Sequence, residues 1–376
     1  MNKKLLALAV AAALAPAAAM ADSGNVTIYG VMDASYDLTD NGNGAATAGG
    51  AVVNGIRANK ISSNNSRLGF KGSEDLGNGL SAVWQIESTI AVDTGASSLA
   101  TRNTFVGLSS KTAGTAILGR HDTPYKMSTR GYDYFSDGLA DNRNLMGAGI
   151  TKTGSFSGGS FDGRPNNVVA YMSPNMNGFK AAAAYVAGAE DVATSGDKKG
   201  DAWSLSGNYA NGPLTAALAY ERHKLGGLLT GDLAATSAAL VDKTEKAWKL
   251  GVGYSFGDLM VNGVYEKISD DFTTSNGHKA YTLGAKYKIG SNDLKLAYIK
   301  AGDLDGGQTS TGAKQWALGV DHHMSKRTKV FAQYVKLSND TNAKYGLTGA
   351  NPTGKVSAKG YDADPSAWSF GMRHVF

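Results

Sequence analysis

The chain has no cysteine. That removes disulfide frameworks, thiolate nucleophiles and cysteine-ligated metals in one step. Proline is scarce, seven in 376 residues, which excludes collagen-like and proline-rich disordered chains. An excess of either charge is also lacking, with 37 Lys and Arg against 32 Asp and Glu. The formal net charge of +5 drops to +3 once Lys3 and Lys4 are set aside with the N-terminal leader, and so small a balance does not suggest a nucleic-acid binder. Beyond the leader no apolar run approaches the roughly 18 residues a membrane-spanning helix needs. No HExxH or similar metal motif is present. His322 and His323 are neighbours on a strand, so they point to opposite faces and make poor joint ligands.

The leader has its own pattern. Lys3 and Lys4 precede a short apolar run, Leu5 to Leu14, and then Ala19-Met20-Ala21, a small-x-small cleavage site. Residues 1–21 therefore read as a secretory signal peptide, and residues 22–376 as the folded domain.

What the chain has in abundance is glycine, 49 residues, and tyrosine, 17 against 11 phenylalanines. It also has strand-period alternation almost throughout. Trp368, Phe370, Met372, His374 and Phe376 fall on one face of the last segment, with Ser369, Gly371, Arg373 and Val375 on the other. Trp248, Leu250, Val252, Tyr254 and Phe256 alternate with Lys249, Gly251, Gly253 and Ser255. The same rhythm recurs at 203–209, 281–289 and 316–321. One greasy face and one polar face mean a strand between two different solvents. Aromatics at the ends of the greasy faces suit a membrane interface, because Trp and Tyr rings are amphipathic.

The alternating segments come in pairs: 67–76 with 79–88, 102–110 with 114–121, 165–173 with 178–187, and 201–210 with 213–222. Three more are 246–256 with 258–268, 279–289 with 293–301, and 314–323 with 328–337. Short Gly/Asn turns such as Gly77-Asn78, Asn177-Gly178 and Asn211-Gly212 join them. Longer polar loops, 38–66, 188–200, 223–245 and 338–366, separate the pairs. With 26–37 at the start and 368–376 at the end the count is 16 strands. An even number puts both termini on the short-turn side. The expected fold class is all-β: a 16-stranded antiparallel transmembrane β-barrel, wide enough for an aqueous lumen.

Several strings now carry a resemblance. They are Val26-Thr27-Ile28-Tyr29-Gly30, Ser66-Arg67-Leu68-Gly69-Phe70-Lys71-Gly72, Phe105-Val106-Gly107-Leu108, Leu118-Gly119-Arg120-His121-Asp122-Thr123-Pro124-Tyr125, Tyr171-Met172-Ser173-Pro174, and Gly371-Met372-Arg373-His374-Val375-Phe376. Together they resemble the general diffusion porins of Gram-negative bacteria, specifically the beta-proteobacterial outer-membrane type, over essentially all of the mature chain. The resemblance implies a homotrimer in the outer membrane, one water-filled pore per subunit, and passive passage of small hydrophilic solutes and ions.

The segment 122–164 is too long for an ordinary connection. It resembles the third porin loop, which folds into the barrel and narrows the pore. Its carboxylates Asp133, Asp137 and Asp141 are the expected acidic side; Lys126, Arg130 and Arg143 are its bases. Parity supplies the wall. With Leu68 and Phe70 outward, Arg67 and Lys71 face the lumen; with Phe105 outward, Arg102 does; with Val169 and Tyr171 outward, Arg164 does. The resemblance implies that the arginines at matching positions form the basic side of the constriction. Arg120 lies at the mouth of the loop with ambiguous parity. Glu87 points inward, placed to pair with a wall arginine, and Tyr29 is inward too. Rings of Arg and Lys favour anions and carboxylates favour cations; three wall arginines on a mildly basic chain lean toward anions.

Phe376, closing an alternating apolar strand, resembles the signal read by the barrel-assembly machinery. Segment 88–101 is expected to latch onto a neighbouring subunit. Lipid and lipopolysaccharide are the expected surroundings, and no cofactor or catalytic residue is expected. The alternatives are a substrate-specific outer-membrane channel, a barrel enzyme, for which no Ser/His or Asp/His constellation stands out, and an adhesin.

Overall fold

The computed structural model describes residues 25–147, 161–188, 200–226, 238–349 and 353–376; the leader, 1–21, lies outside them. Sixteen antiparallel staves form the wall. They are β1 (Val26–Asp40), β2 (Arg67–Gly77), β3 (Leu80–Thr89), β4 (Thr104–Ser110), β5 (Gly114–Arg120) and β6 (Val168–Met172). Then come β7 (Phe179–Ala187), β8 (Asp201–Asn211), β9 (Leu214–Lys224), β10 (Thr244–Phe256) and β11 (Leu259–Asp270). The last are β12 (His278–Ile289), β13 (Asn292–Ala301), β14 (Ala313–His323), β15 (Thr328–Asn339) and β16 (Ser366–Val375). Each pairs with its sequence neighbour, and β16 closes on β1 from Val31↔Val375 to Asp40↔Ser366. Closure leaves no free edge, as a wall in lipid requires.

The expected loop 38–66 contains structure that the alternation did not reveal. A two-residue hairpin joins Gly44–Ala45 to Val52–Val53, and a strand Arg57–Ser63 pairs with the upper half of β1. That strand continues the line of β2 beyond a break at residues 64–66, where Asn65 has a φ of 55°. Five of its seven residues are polar and four are exposed, so no greasy face marked it.

Outside, the wall is apolar. Leu218, Trp248, Leu250, Val252, Leu283, Leu296, Leu318, Trp316 and Phe370 are among some dozens of large hydrophobic side chains that stand about half exposed. A water-soluble monomer does not expose a continuous band of this kind. Rings in contact rim it on the long-loop side: Tyr185 with Trp203, Trp248 with Tyr265, Tyr298 with Trp316, and Tyr334 with Trp368. On the short-turn side lie Tyr254 with Phe256. Trp248 and Phe256 are eight residues apart, about 26 Å along a strand and roughly 20 Å along the barrel axis after tilt. That is close to the height of a bilayer's hydrocarbon band.

Parity failed once. Phe105 is not outward. It packs edge-on against His121 at 5.4 Å and beside the buried Ile117 and Val168, while Val106 and Leu108 are the exposed residues of β4. An all-apolar Phe-Val-Gly-Leu string has no polar face to set its phase. Arg102 precedes β4 and turns inward from a non-strand residue, so its placement does not depend on that phase.

Candidate functional site

Between β5 and β6 the chain leaves the wall. Thr123 caps a one-and-a-half-turn helix, α1 (Pro124–Thr129), by accepting from the Lys126 amide at 3.3 Å, and Pro124 occupies the first turn, where its missing N–H costs nothing. From there the described part of the loop lies against the inward faces of the far staves. The Tyr125 amide donates to Ser204 Oγ on β8 (2.9 Å), and the buried Tyr125 hydroxyl donates to Glu266 on β11 (2.8 Å). The Gly147 amide donates to the other Glu266 oxygen (2.8 Å), so one carboxylate ties both legs of the loop. Gln315 on β14 donates to the Ala140 carbonyl and accepts from Asn144. Lys249 pairs with Asp162 at 2.8 Å and sits 4.0 Å above the Tyr125 ring.

The alternating glycines make room for this. A methyl on Gly251, Gly253, Gly284 or Gly319 would stand 3.0–3.2 Å from the rings of Tyr132, Tyr134 or Phe135. The wall is thinned where the loop's aromatics lean on it, and Lys295 covers the Phe135 ring at 4.7 Å.

Across from this contact the loop's other edge meets β2 and its neighbours around a cavity of about 310 Å³. Arg67, Arg102 and Arg164 line it from the wall side. Lys126, Arg130 and Arg143 line it from the loop, with Asn65, Asp122 and Asp137 among them. Asp137, held at a φ of 75°, reaches Arg130 at 2.5 Å and Arg67 and Arg373 at 3.6 Å. Arg164 and Lys126 share Asp122 at 3.0 and 2.7 Å. Arg102 pairs with Glu87 at 2.6 Å, and Tyr29 donates to the same carboxylate at 3.0 Å.

The charges differ from a simple basic wall facing an acidic loop. Asp133 and Asp141 do not line the cavity. Asp133 accepts the amides of Phe135 and Asn142; Asp141, fully buried, accepts the amides of Asp137 and Arg143 and is clasped by Arg130 and Arg143. They fold the loop rather than face solvent. Burial, then the Asp141 charge, pushes the Asp133 carboxyl up to about 7. Burial would also raise Asp141, but Arg143 and Arg130 hold it well below the usual carboxylate range. Burial works on Asp137 in the same direction, yet Arg130, Arg67 and Arg143 outweigh it and keep that carboxyl at about 2. Burial moves Lys126 the other way, down to about 8, with Asp122 opposing and Arg164 and Arg143 assisting. Among the described residues, what lines the cavity is six cations against two carboxylates.

Two more expected residues stand apart. Arg120 shares the outward parity of Leu118 and donates to Asn166, away from the cavity. Lys71 lies four residues down β2 from Arg67, over the Tyr29 ring at 5.2 Å. Phe376 exchanges both backbone hydrogen bonds with Gly30, 3.0 and 3.1 Å, extending the closing seam by one residue. Sequence reasoning missed Arg373, Asp122, Tyr125 and Glu266. Arg373 was legible, since it shares the inward parity of Ser369 and Gly371. The Thr-Pro helix start also placed Lys126 one turn beyond Asp122.

A closed barrel with a lipid-compatible outside, a polar inside and an internal loop defines an outer-membrane pore. The Gram-negative porin family matches residues 7–342, and the chain belongs to that family. It is 32% identical to outer membrane porin protein 32 of Delftia acidovorans, with 100% of each chain covered. It is 27% identical to an outer membrane porin protein of Bordetella pertussis, over 88% of this chain and 93% of that one. The anion-selective porin from Comamonas acidovorans superposes with a TM-score of 0.72 at 26% identity, covering 93% and 99% of the two chains. The chain is therefore an outer-membrane channel for passive diffusion of small hydrophilic solutes, not an enzyme.

Proposed function

We propose that the channel prefers anions and that its constriction is the cavity between Arg67, Arg102 and Arg164 on the wall and the edge of the loop 122–164. The observation that carries this is the excess of six cations over two carboxylates around that cavity. Cationic rings attract anions and repel cations at close range, and the partly buried setting weakens screening. The anion-selective porin from Comamonas acidovorans supports the same reading. Asp137, Asp122 and Glu87 act here as spacers that hold guanidinium groups apart, and Asp133 and Asp141 as the loop's internal frame.

Around this pore we place a homotrimer in which segment 88–101 latches onto a neighbour. Support comes from Leu99, 75% exposed, and from Val92, also exposed, neither covered within one subunit. Residues 1–21 serve as the secretory signal, Phe376 as the mark read by the barrel-assembly machinery, and lipopolysaccharide as the outer-leaflet neighbour of the Trp-rich rim. The test is a planar-bilayer recording of refolded protein across a salt gradient. Current steps in threes and a reversal potential of anion sign are expected. A reversal potential of cation sign overturns the selectivity, and isolated single steps overturn the trimer.

A further inference from the structure

Outside the cavity a further cluster of buried titratable groups touches the loop. His223 on β9 is buried with both ring nitrogens engaged: Nε2 lies 2.8 Å from Glu221 Oε1 and Nδ1 2.8 Å from Glu245 Oε1. Phe161, on the loop's return leg and wholly buried, stacks on the imidazole at 4.5 Å and 13°. Tyr125, on the outgoing leg, packs against Phe161 at 5.9 Å, and Thr123 donates to the Phe161 carbonyl. The loop's outgoing and return legs thus meet at Phe161, which lies on the imidazole. Phe161 is three residues from Arg164, and Tyr125 adjoins Lys126, so this stack sets where two of the cavity's cations stand.

A carboxylate oxygen only accepts, whereas a neutral imidazole donates from one nitrogen only. Two contacts at hydrogen-bond distance therefore need two protons. Glu221 depends on this bond, because its other oxygen, Oε2, is buried without a hydrogen-bond partner among the described residues. Leaving such a carboxylate unpaired is costly. The other charged groups nearby are already engaged. Lys249 is held by Asp162, and Glu266 by Tyr125 and Gly147; Asp270 lies across the ladder from Glu245.

We propose that His223, as an imidazolium clasped by Glu221 and Glu245, is a positioning residue for solute passage, fixing the Phe161–Tyr125 stack and through it the loop's edge of the constriction. This rests on the constriction reading above. Removing one proton turns a ring lone pair toward a carboxylate, and the platform loosens.

The test compares the trimeric protein with Glu245→Gln in planar bilayers from about pH 5 to about pH 10. A glutamine amide donates to an unprotonated ring nitrogen, so the variant needs no imidazolium. Both proteins share the step that Lys126 contributes; beyond it the wild type is expected to show a further alkaline shift in open-channel current and reversal potential that the variant lacks, with both alike at neutral pH. Superimposable profiles overturn the proposal. Nitrogen-15 NMR of histidine-labelled protein gives an independent readout. Both His223 nitrogens protonated at neutral pH support the imidazolium, and a single protonated nitrogen overturns it. This readout also decides the proposal if Glu245→Gln does not fold. Barrels that fold but do not conduct would overturn the constriction reading and leave the NMR result to judge the triad.

Discussion

The two halves of the barrel's inner surface hold the loop by different forces. The β8–β14 half grips it with buried hydrogen bonds to Ser204, Glu266 and Gln315 and with glycines thinned under Tyr132, Tyr134 and Phe135. The half around β2, β3 and β16 meets it chiefly through charge, by way of Arg67, Arg373 and Asp137, with the Asn65 side-chain amide also donating to Asp137 at 3.2 Å. Short-range packing excludes water and fixes position. The cavity of about 310 Å³ beside the guanidinium–carboxylate contacts leaves room for water and for ions. One half is an anchor and the other a passage, and the same loop serves both because its two edges carry different chemistry.

The largest effect is expected from breaking the anchor. Tyr125→Ala removes a fully buried ring and its bond to Glu266, at a cost of about 3–5 kcal/mol. The loop should leave the far wall, so that single-channel conductance rises and anion preference falls; an unchanged conductance would show that the β8–β14 contacts do not hold it.

Next comes the passage side. Arg102→Ala leaves the buried Glu87 carboxylate with Tyr29 as its remaining side-chain partner, and stability should fall by up to about 3 kcal/mol. Reversal potential should move toward zero, and thermal melting of the trimer gives the stability change.

Asp137→Asn should act in the opposite direction. Freeing Arg67, Arg130 and Arg373 from one carboxylate raises the net charge of the cavity, so anion preference should strengthen. A weakened preference in the same salt gradient would mean that Asp137 orders the arginines more than it neutralises them.

A gentler probe is pH. With Lys126 at about 8, its charge is present below that value and lost as pH rises through it, so anion preference should decline across roughly pH 7 to 9. Lys126→Met should abolish that step and start from the lower value. Smallest of all is Arg120→Ala. An arginine on the outward parity has no share in the passage, and selectivity should stay within measurement error.

Barrel strands were the most legible part of the molecule. Trp248 to Phe256 and Trp368 to Phe376 alternate between two solvents, and that period survives in one dimension. The strand Arg57–Ser63 and the phase of Phe105 were not legible, the first for want of a greasy face and the second for want of a polar one. Parity also put Arg67 inward, and Glu87 beside a wall arginine, because inside and outside are separated by one residue in strand structure; Arg164 precedes β6 on a non-strand stretch, so its place at the cavity owes nothing to parity.

The sequence by itself determined the class of protein, the number of staves, the side on which the long loops lie and, outside β4, which strand residues turn inward. All of these are periodic or local. Only the tertiary structure decided that Asp133 and Asp141 are spent on the loop's own amides and arginines, and that Asp122 and Asp137 alone of the loop's described carboxylates line the cavity. It also decided that Glu266, over a hundred residues away, ties both legs of the loop. An irregular loop has no period from which to read orientation. Whether a charge faces solvent or a partner depends on what the rest of the chain brings to it.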